Sequence, residues 1–236
     1  LGLARSGLPV ERAYYDGYLA RAAAYIAEKK GVLHQRKYTE YSRVVLVLTA
    51  LGQDPRSVGG YDVLSPLFSF DAVSRQGITG AAFALLALDS GGYEAPEGLR
   101  QQYVDHLLAQ ELEGGGFALS GVVADPDVTA MVLQSLAPYA AQETVAQAAE
   151  RAFARLSALQ QSSGGFASYG VECSESAAQV ILALDAWGLP FDDPRFVKNG
   201  RTVTEALLSF WRQGQGFVHT AQPDQSIAIV SCEQGL

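Results

Sequence analysis

The residues able to do chemistry gather at the starts of apolar segments. Asp125-Pro126-Asp127-Val128-Thr129 opens one such segment, Glu175 opens another just after Cys173, and Glu233 a third just after Cys232. Glu40-Tyr41-Ser42-Arg43 opens an earlier one and puts two charges on an otherwise apolar stretch. Helix-end physics accounts for much of this. An aspartate at the N-cap, a proline at the first helical position and an acid in the first turn all answer the unpaired amides and the positive end of a helix. Asp125 is then the cap, Pro126 the first position, and Asp127, Glu175 and Glu233 first-turn acids. Glu40 and Arg43 read as a buried pair linking neighbouring helices. No phosphate-binding loop, HExxH pair, nucleophile elbow or triad spacing occurs.

These starts recur because the chain repeats itself. The phrase from Gly114 to Tyr139 returns from Gly164 to Leu189 and, in worn form, from Gly216 to Leu236. Its phenylalanines, Phe117, Phe166 and Phe217, lie 49 and 51 residues apart. A period near fifty marks a repeat architecture, in which function gathers on one face. Superposing the copies brings Glu40, Asp127, Glu175 and Glu233 to one rim. Such a ring of carboxylates is able to bind a cation or a polyol. Tyr14, Tyr18, Tyr41 and Tyr169 are candidates for a pocket mouth, although aromatic residues serve mostly in packing.

The elements that must position these groups alternate between two kinds. Helices are expected over 9–30, 97–110, 142–160 and 202–212, each with apolar residues on one face. Between them, 40–51, 78–88, 127–139 and 175–187 are apolar nearly all round, with a fifth such segment from 226 onward. Thr39 is expected to cap the first of these, and a short helix split by Ser65-Pro66 to span 61–70. The run Val44 to Leu48 is also compatible with a buried strand, but its length and its alanine-rich counterparts favour a helix. Helices apolar on every face must be covered on all sides. The alternation therefore predicts an all-α fold of about five helical hairpins in two concentric layers, a barrel or an arc. Residues 1–236 read as a single domain, incomplete at its C-terminus and a fragment of a longer chain.

Composition narrows the function. The chain has 236 residues, 48% of them hydrophobic and 18% charged, which is a globular balance. A net charge of −8 with no basic cluster argues against nucleic acid as a partner. No apolar run is long enough to span a membrane. Two cysteines, Cys173 and Cys232, are too few for a disulfide scaffold, and whether they pair is left open.

Leu156-Ser-Ala-Leu-Gln160 with Gly164-Gly165-Phe166, and Leu107-Leu-Ala-Gln110 with Gly115-Gly116-Phe117, resemble the repeat shared by prenyltransferases and squalene cyclases. The chain thus looks like the α/α-toroid superfamily, and is most similar to its intrinsic-factor-like, non-catalytic domains in bacterial surface proteins. Those carry phrases similar to Asp125–Met131 and Glu175–Gln179. The resemblance implies a non-enzymatic toroid module of a secreted or cell-surface protein that binds a small molecule or a protein partner. The ligand it implies is apolar or corrinoid-like, with no resident cofactor. The candidate rim is Glu40, Tyr41, Asp127, Tyr169, Glu175 and Glu233. The alternative is a class II terpene cyclase-like enzyme, in which Asp127 beside Asp125 takes the proton-donor position. Val128 departs from that motif, and only Trp187 and Trp211 represent its tryptophan-rich barrel. Cys173, Cys232 and His219 lack the Asp-x-Cys pair and downstream histidine of the prenyltransferase zinc site. The two cysteines are read as isolated buried thiols and no metal is expected.

Overall fold

The computed structural model describes residues 1–168 and 170–221. They form a mostly helical chain in two compact units, Leu1–Ala109 and Gln110 onward. The first unit contains α1 (Gly2–Arg5), α2 (Arg12–Glu28), α3 (Thr39–Ala50), α4 (Phe70–Ser74), α5 (Ile78–Ser90) and α6 (Leu99–Leu108). The second contains α7 (Pro126–Leu136), α8 (Glu143–Leu159), α9 (Ser174–Ala186) and α10 (Val203–Ser209). Three two-residue hairpins accompany them: β1 (Ala167–Ser168) with β2 (Val171–Glu172), β3 (Val197–Lys198) with β4 (Arg201–Thr202), and β5 (Trp211–Arg212) with β6 (Gly216–Phe217).

In each unit the two kinds of helix take different places. In the first, α5 buries residues on every side, from Ile78 to Leu88, and packs on α3 and α6. In the second, α7 packs along α9, while α8 lies against α7 and α10 against α9. α8 buries one face only, Val145, Ala148, Ala149, Ala152, Phe153 and Leu156, the three- and four-residue spacing of an amphipathic helix. The ambiguous run Val44 to Leu48 is helical, within α3.

Several local expectations need correction. Thr39 does not cap α3; it is the first helical residue, and its hydroxyl accepts from Gln76 Nε2 at 2.8 Å. Glu40 and Arg43 are exposed rather than a buried pair, and Arg43 lies over the Phe83 ring instead. Residues 61–70 form a 3₁₀ turn, Ser65–Phe68, because Pro66 denies the backbone an amide there, and the α-helix starts only at Phe70. The last amphipathic helix stops at Ser209, and Trp211–Arg212 pairs with Gly216–Phe217 as a hairpin. α2 buries only Ile26, so its tyrosine stripe is largely open, with Tyr14 and Tyr25 exposed. The expected fifth apolar helix, with Cys232 and Glu233, lies outside the described residues, as does Tyr169.

The repeated phrase has a single physical logic. Leu112 N donates to Gly116 O and Gly115 N to Leu112 O; one repeat later Gln161 N donates to Gly165 O and Gly164 N to Gln161 O. The glycine turn drops Phe117 and Phe166 into the core with no exposed surface. Gln160 secures its copy by donating Nε2 to the carbonyls of Gly164 (2.9 Å) and Phe196 (2.8 Å). Each chain then returns to start the next apolar helix, through Asp125 N to Phe117 O and Cys173 N to Phe166 O.

Candidate functional site

The starts of α7 and α9 lie side by side in the second unit and define one end of a pocket of about 530 Å³. Asp127 lines it from the first turn of α7, and Met131 from one turn further on. Cys173, Glu175 and Gln179 line it from the matching positions of α9, with Ser168 and Val171 from the β1–β2 hairpin and His219 from the chain after β6. The i, i+4 spacing places Asp127 with Met131, and Glu175 with Gln179, on single helix faces. Gln134 clamps the two helices by donating Nε2 to Gln179 Oε1 at 2.9 Å.

The two aspartates of α7 have separate duties. Asp125 Oδ1 accepts from the amides of Asp127 (3.0 Å) and Val128 (3.1 Å), so it is the N-cap, with Pro126 at the first helical position as expected. Its other oxygen accepts from Ser168 at 2.8 Å. Asp127 Oδ1, by contrast, is buried and has no hydrogen-bond partner among the described residues. Burial pushes its carboxyl up to about 6, helped by the charges of Asp125 and Glu175 and opposed by the Ser176 hydroxyl and by His219.

At α9 the capping position is taken by Cys173, which makes no cap bond. Its sulfur lies 3.0 Å from Ser176 Oγ instead. Burial pushes the thiol upward, the neighbouring Asp127 and Glu175 carboxylates add to this, and Ser176 opposes it. Cys173 is a free thiol. Glu175 Oε2 lies 2.8 Å from His219 Nδ1, and the His219 carbonyl accepts from Ser174 N at 3.1 Å. The backbone bond anchors His219 to the start of α9. Sγ of Cys173, a carboxylate oxygen of Glu175 and a ring nitrogen of His219 all lie within 4.8 Å of one another.

The structure thus brings together two of the expected rim residues, Asp127 and Glu175. Glu40 and Tyr41 belong to the first unit, where Glu40 is exposed on the first turn of α3. Tyr41 is a buried core residue whose hydroxyl accepts from Leu33 N. Tyr169 and Glu233 lie outside the described residues. Sequence reasoning weighed Cys173 and His219 together only with Cys232, as a prenyltransferase-like zinc set that it set aside, and so missed their grouping with Glu175. A signal for it existed in the repeat. Ser168 and His219 both stand two residues after a repeat phenylalanine, and each reaches back to a carboxylate at the preceding helix start. Among the described lining residues there is no phenylalanine, tyrosine or tryptophan. Among the described residues no helix is long and apolar enough to cross a membrane. No family model matches the chain, and no curated protein matches its sequence.

Proposed function

We propose that this chain is a non-enzymatic ligand-binding module of the α/α-toroid type, carried by a secreted or cell-surface protein, with the Asp127–Glu175–His219 pocket as its binding site. The toroid reading is supported by the packing within each unit, where the nearly wholly buried α5 and α7 pack on α3 and α9 respectively, and α6, α8 and α10 lie against these pairs. The observation that carries the binding reading is the pocket itself. Its volume of about 530 Å³ falls in the range of small-molecule sites, and a buried carboxylate oxygen on its wall has no partner among the described residues. Two carboxylates beside Met131 and Val171 favour a ligand with a cationic group and an apolar part over a wholly apolar one. A corrinoid exceeds this volume and would seat only one edge in the pocket.

Calorimetric titration with hydroxocobalamin, choline and a series of alkylamines tests this reading. At least one is expected to bind saturably, with affinity falling tenfold or more in Glu175→Gln and in Met131→Trp, which fills the pocket. Binding unchanged by both substitutions would remove it. A second reading is favoured by one observation, the Asp127 carboxyl held near 6, which suits a general acid of the terpene cyclase kind. It predicts isoprenoid cyclisation that Asp127→Asn abolishes, measured by product analysis. The wall gives this reading little support, because carbocations need aromatic faces and the described lining has none.

A further inference from the structure

We propose that Cys173, Glu175 and His219 form a binding site for a thiophilic divalent cation, with Zn²⁺ the best match. The inference rests on reading this pocket as a ligand site and names the class of ligand. Thiolate, imidazole and carboxylate are a donor set that zinc accepts and that calcium and magnesium do not favour. Zinc bonds of about 2.0–2.3 Å in a tetrahedral arrangement place ligand atoms roughly 3.3–3.8 Å apart. The three donor atoms already lie within 4.8 Å, so side-chain adjustments of about 1 Å would close the set. The backbone holds two ligands at positions 173 and 175 of one helix start and ties the third to that start through Ser174 N and the His219 carbonyl.

Two further observations point to a bound cation. Local helix chemistry does not explain Cys173. Its counterpart Asp125 caps α7 through two amides, whereas the Cys173 side chain at the same position of α9 makes no cap bond, and Ser174 N is met by the His219 carbonyl instead. Its side chain lines the pocket instead. Independently, Asp127 Oδ1 is fully buried on that same wall and has no partner among the described residues. A buried acceptor without a donor is costly, and a cation or its bound water supplies what it lacks. Three protein ligands with one position left for water or a small molecule is the arrangement of an open zinc site.

The test uses the full chain, stripped with chelator and titrated with Co²⁺ and then Zn²⁺. The expected result is one ion per chain, with a thiolate-to-cobalt charge-transfer band and the visible bands of a tetrahedral centre. Cys173→Ser is expected to abolish the band and weaken zinc binding at least 100-fold. It places a good capping residue at the start of α9, so it is expected to fold. Glu175→Gln and His219→Ala should each weaken binding tenfold or more, while Cys232→Ser should leave the band intact. No band, or a band that survives Cys173→Ser and disappears in Cys232→Ser, would overturn the inference. Saturable binding of an alkylamine without any zinc binding would overturn it and leave the pocket reading standing. Zinc binding with every small ligand indifferent to Met131→Trp would do the reverse.

Discussion

Asp127→Asn is expected to stabilise the metal-free protein at pH 7.5 by about 2–3 kcal/mol and to have almost no effect at pH 4. The reason is the position of the Asp127 carboxyl, which starts at 3.8 and is raised to about 6 by burial first, then by Asp125 and Glu175. A raised carboxyl binds its proton more tightly in the folded state than in the unfolded one. Near pH 4 and below it is neutral in the fold and adds no cost. As pH rises towards and through 6 the native state must hold a buried charge, and stability falls. Asparagine has the same shape and no charge, so it removes that loss. Thermal unfolding of both proteins in chelator across pH 4–8 measures the effect, expected as a rise of roughly 5–10 °C at the alkaline end. Equal unfolding temperatures at pH 7.5 would show that the carboxylate is already solvated or paired. Added zinc should shrink the difference, since a cation beside Asp127 lowers the cost of its charge.

How much of this was visible in the amino-acid sequence differs from element to element. The helices of the second unit were legible because their local and tertiary signals agree. α8 shows its buried stripe at three- and four-residue spacing, and α7 opens with Asp125 and Pro126 in the order that a helix start requires. Ends were less legible where two local rules compete. Thr39 has the chemistry of a cap, yet a bond from Gln76, 37 residues away, claims its hydroxyl and draws it into the helix. Trp211 continues the apolar stripe of α10, but pairing with Phe217 takes it into a hairpin.

The site was half legible. Repeat symmetry placed Asp127 and Glu175 together, because both sit in the first turn of equivalent helices that pack side by side. Cys173 and His219 were considered together, but their meeting at Glu175 escaped because contact between residues 46 positions apart depends on a loop closure, the bond from Ser174 N to the His219 carbonyl. Nothing in the periodicity of either segment encodes that bond. The buried Glu40–Arg43 pair failed for the opposite reason. Charges at the start of an apolar helix were taken as buried with it, yet Glu40 and Arg43, three residues apart, share the exposed face of α3 while Thr39, Tyr41 and Ser42 beside them are buried. Position in a repeat was thus a better guide to this site than the polarity of its neighbours.

The glycine pair of the repeat predicts the largest loss of stability. Gly164→Ala is expected to cost about 3 kcal/mol or more, and Gly114→Ala only about 1–2 kcal/mol. Both glycines have positive φ, 87° at Gly164 and 85° at Gly114, so both variants carry the strain of a side chain in that region. They differ in what a Cβ would meet. At Gly114 nothing lies within 4 Å, whereas at Gly164 the carbonyl of Thr202 is 2.7 Å away and that of Arg201 is 3.1 Å away. A methyl group there must push the start of α10 outward, because neither obstacle is a side chain that can turn aside. Gly115 stands in the equivalent place one repeat earlier, against the Arg151 carbonyl at 2.7 Å, so the same close approach of turn to a backbone carbonyl occurs twice. Denaturant unfolding of the two variants separates the causes, since their difference isolates the close approach from the backbone strain. Equal losses would mean that α10 yields without cost. A larger loss at Gly164 would show that this contact fixes the turn that delivers Phe166 to the core and Cys173 to the pocket.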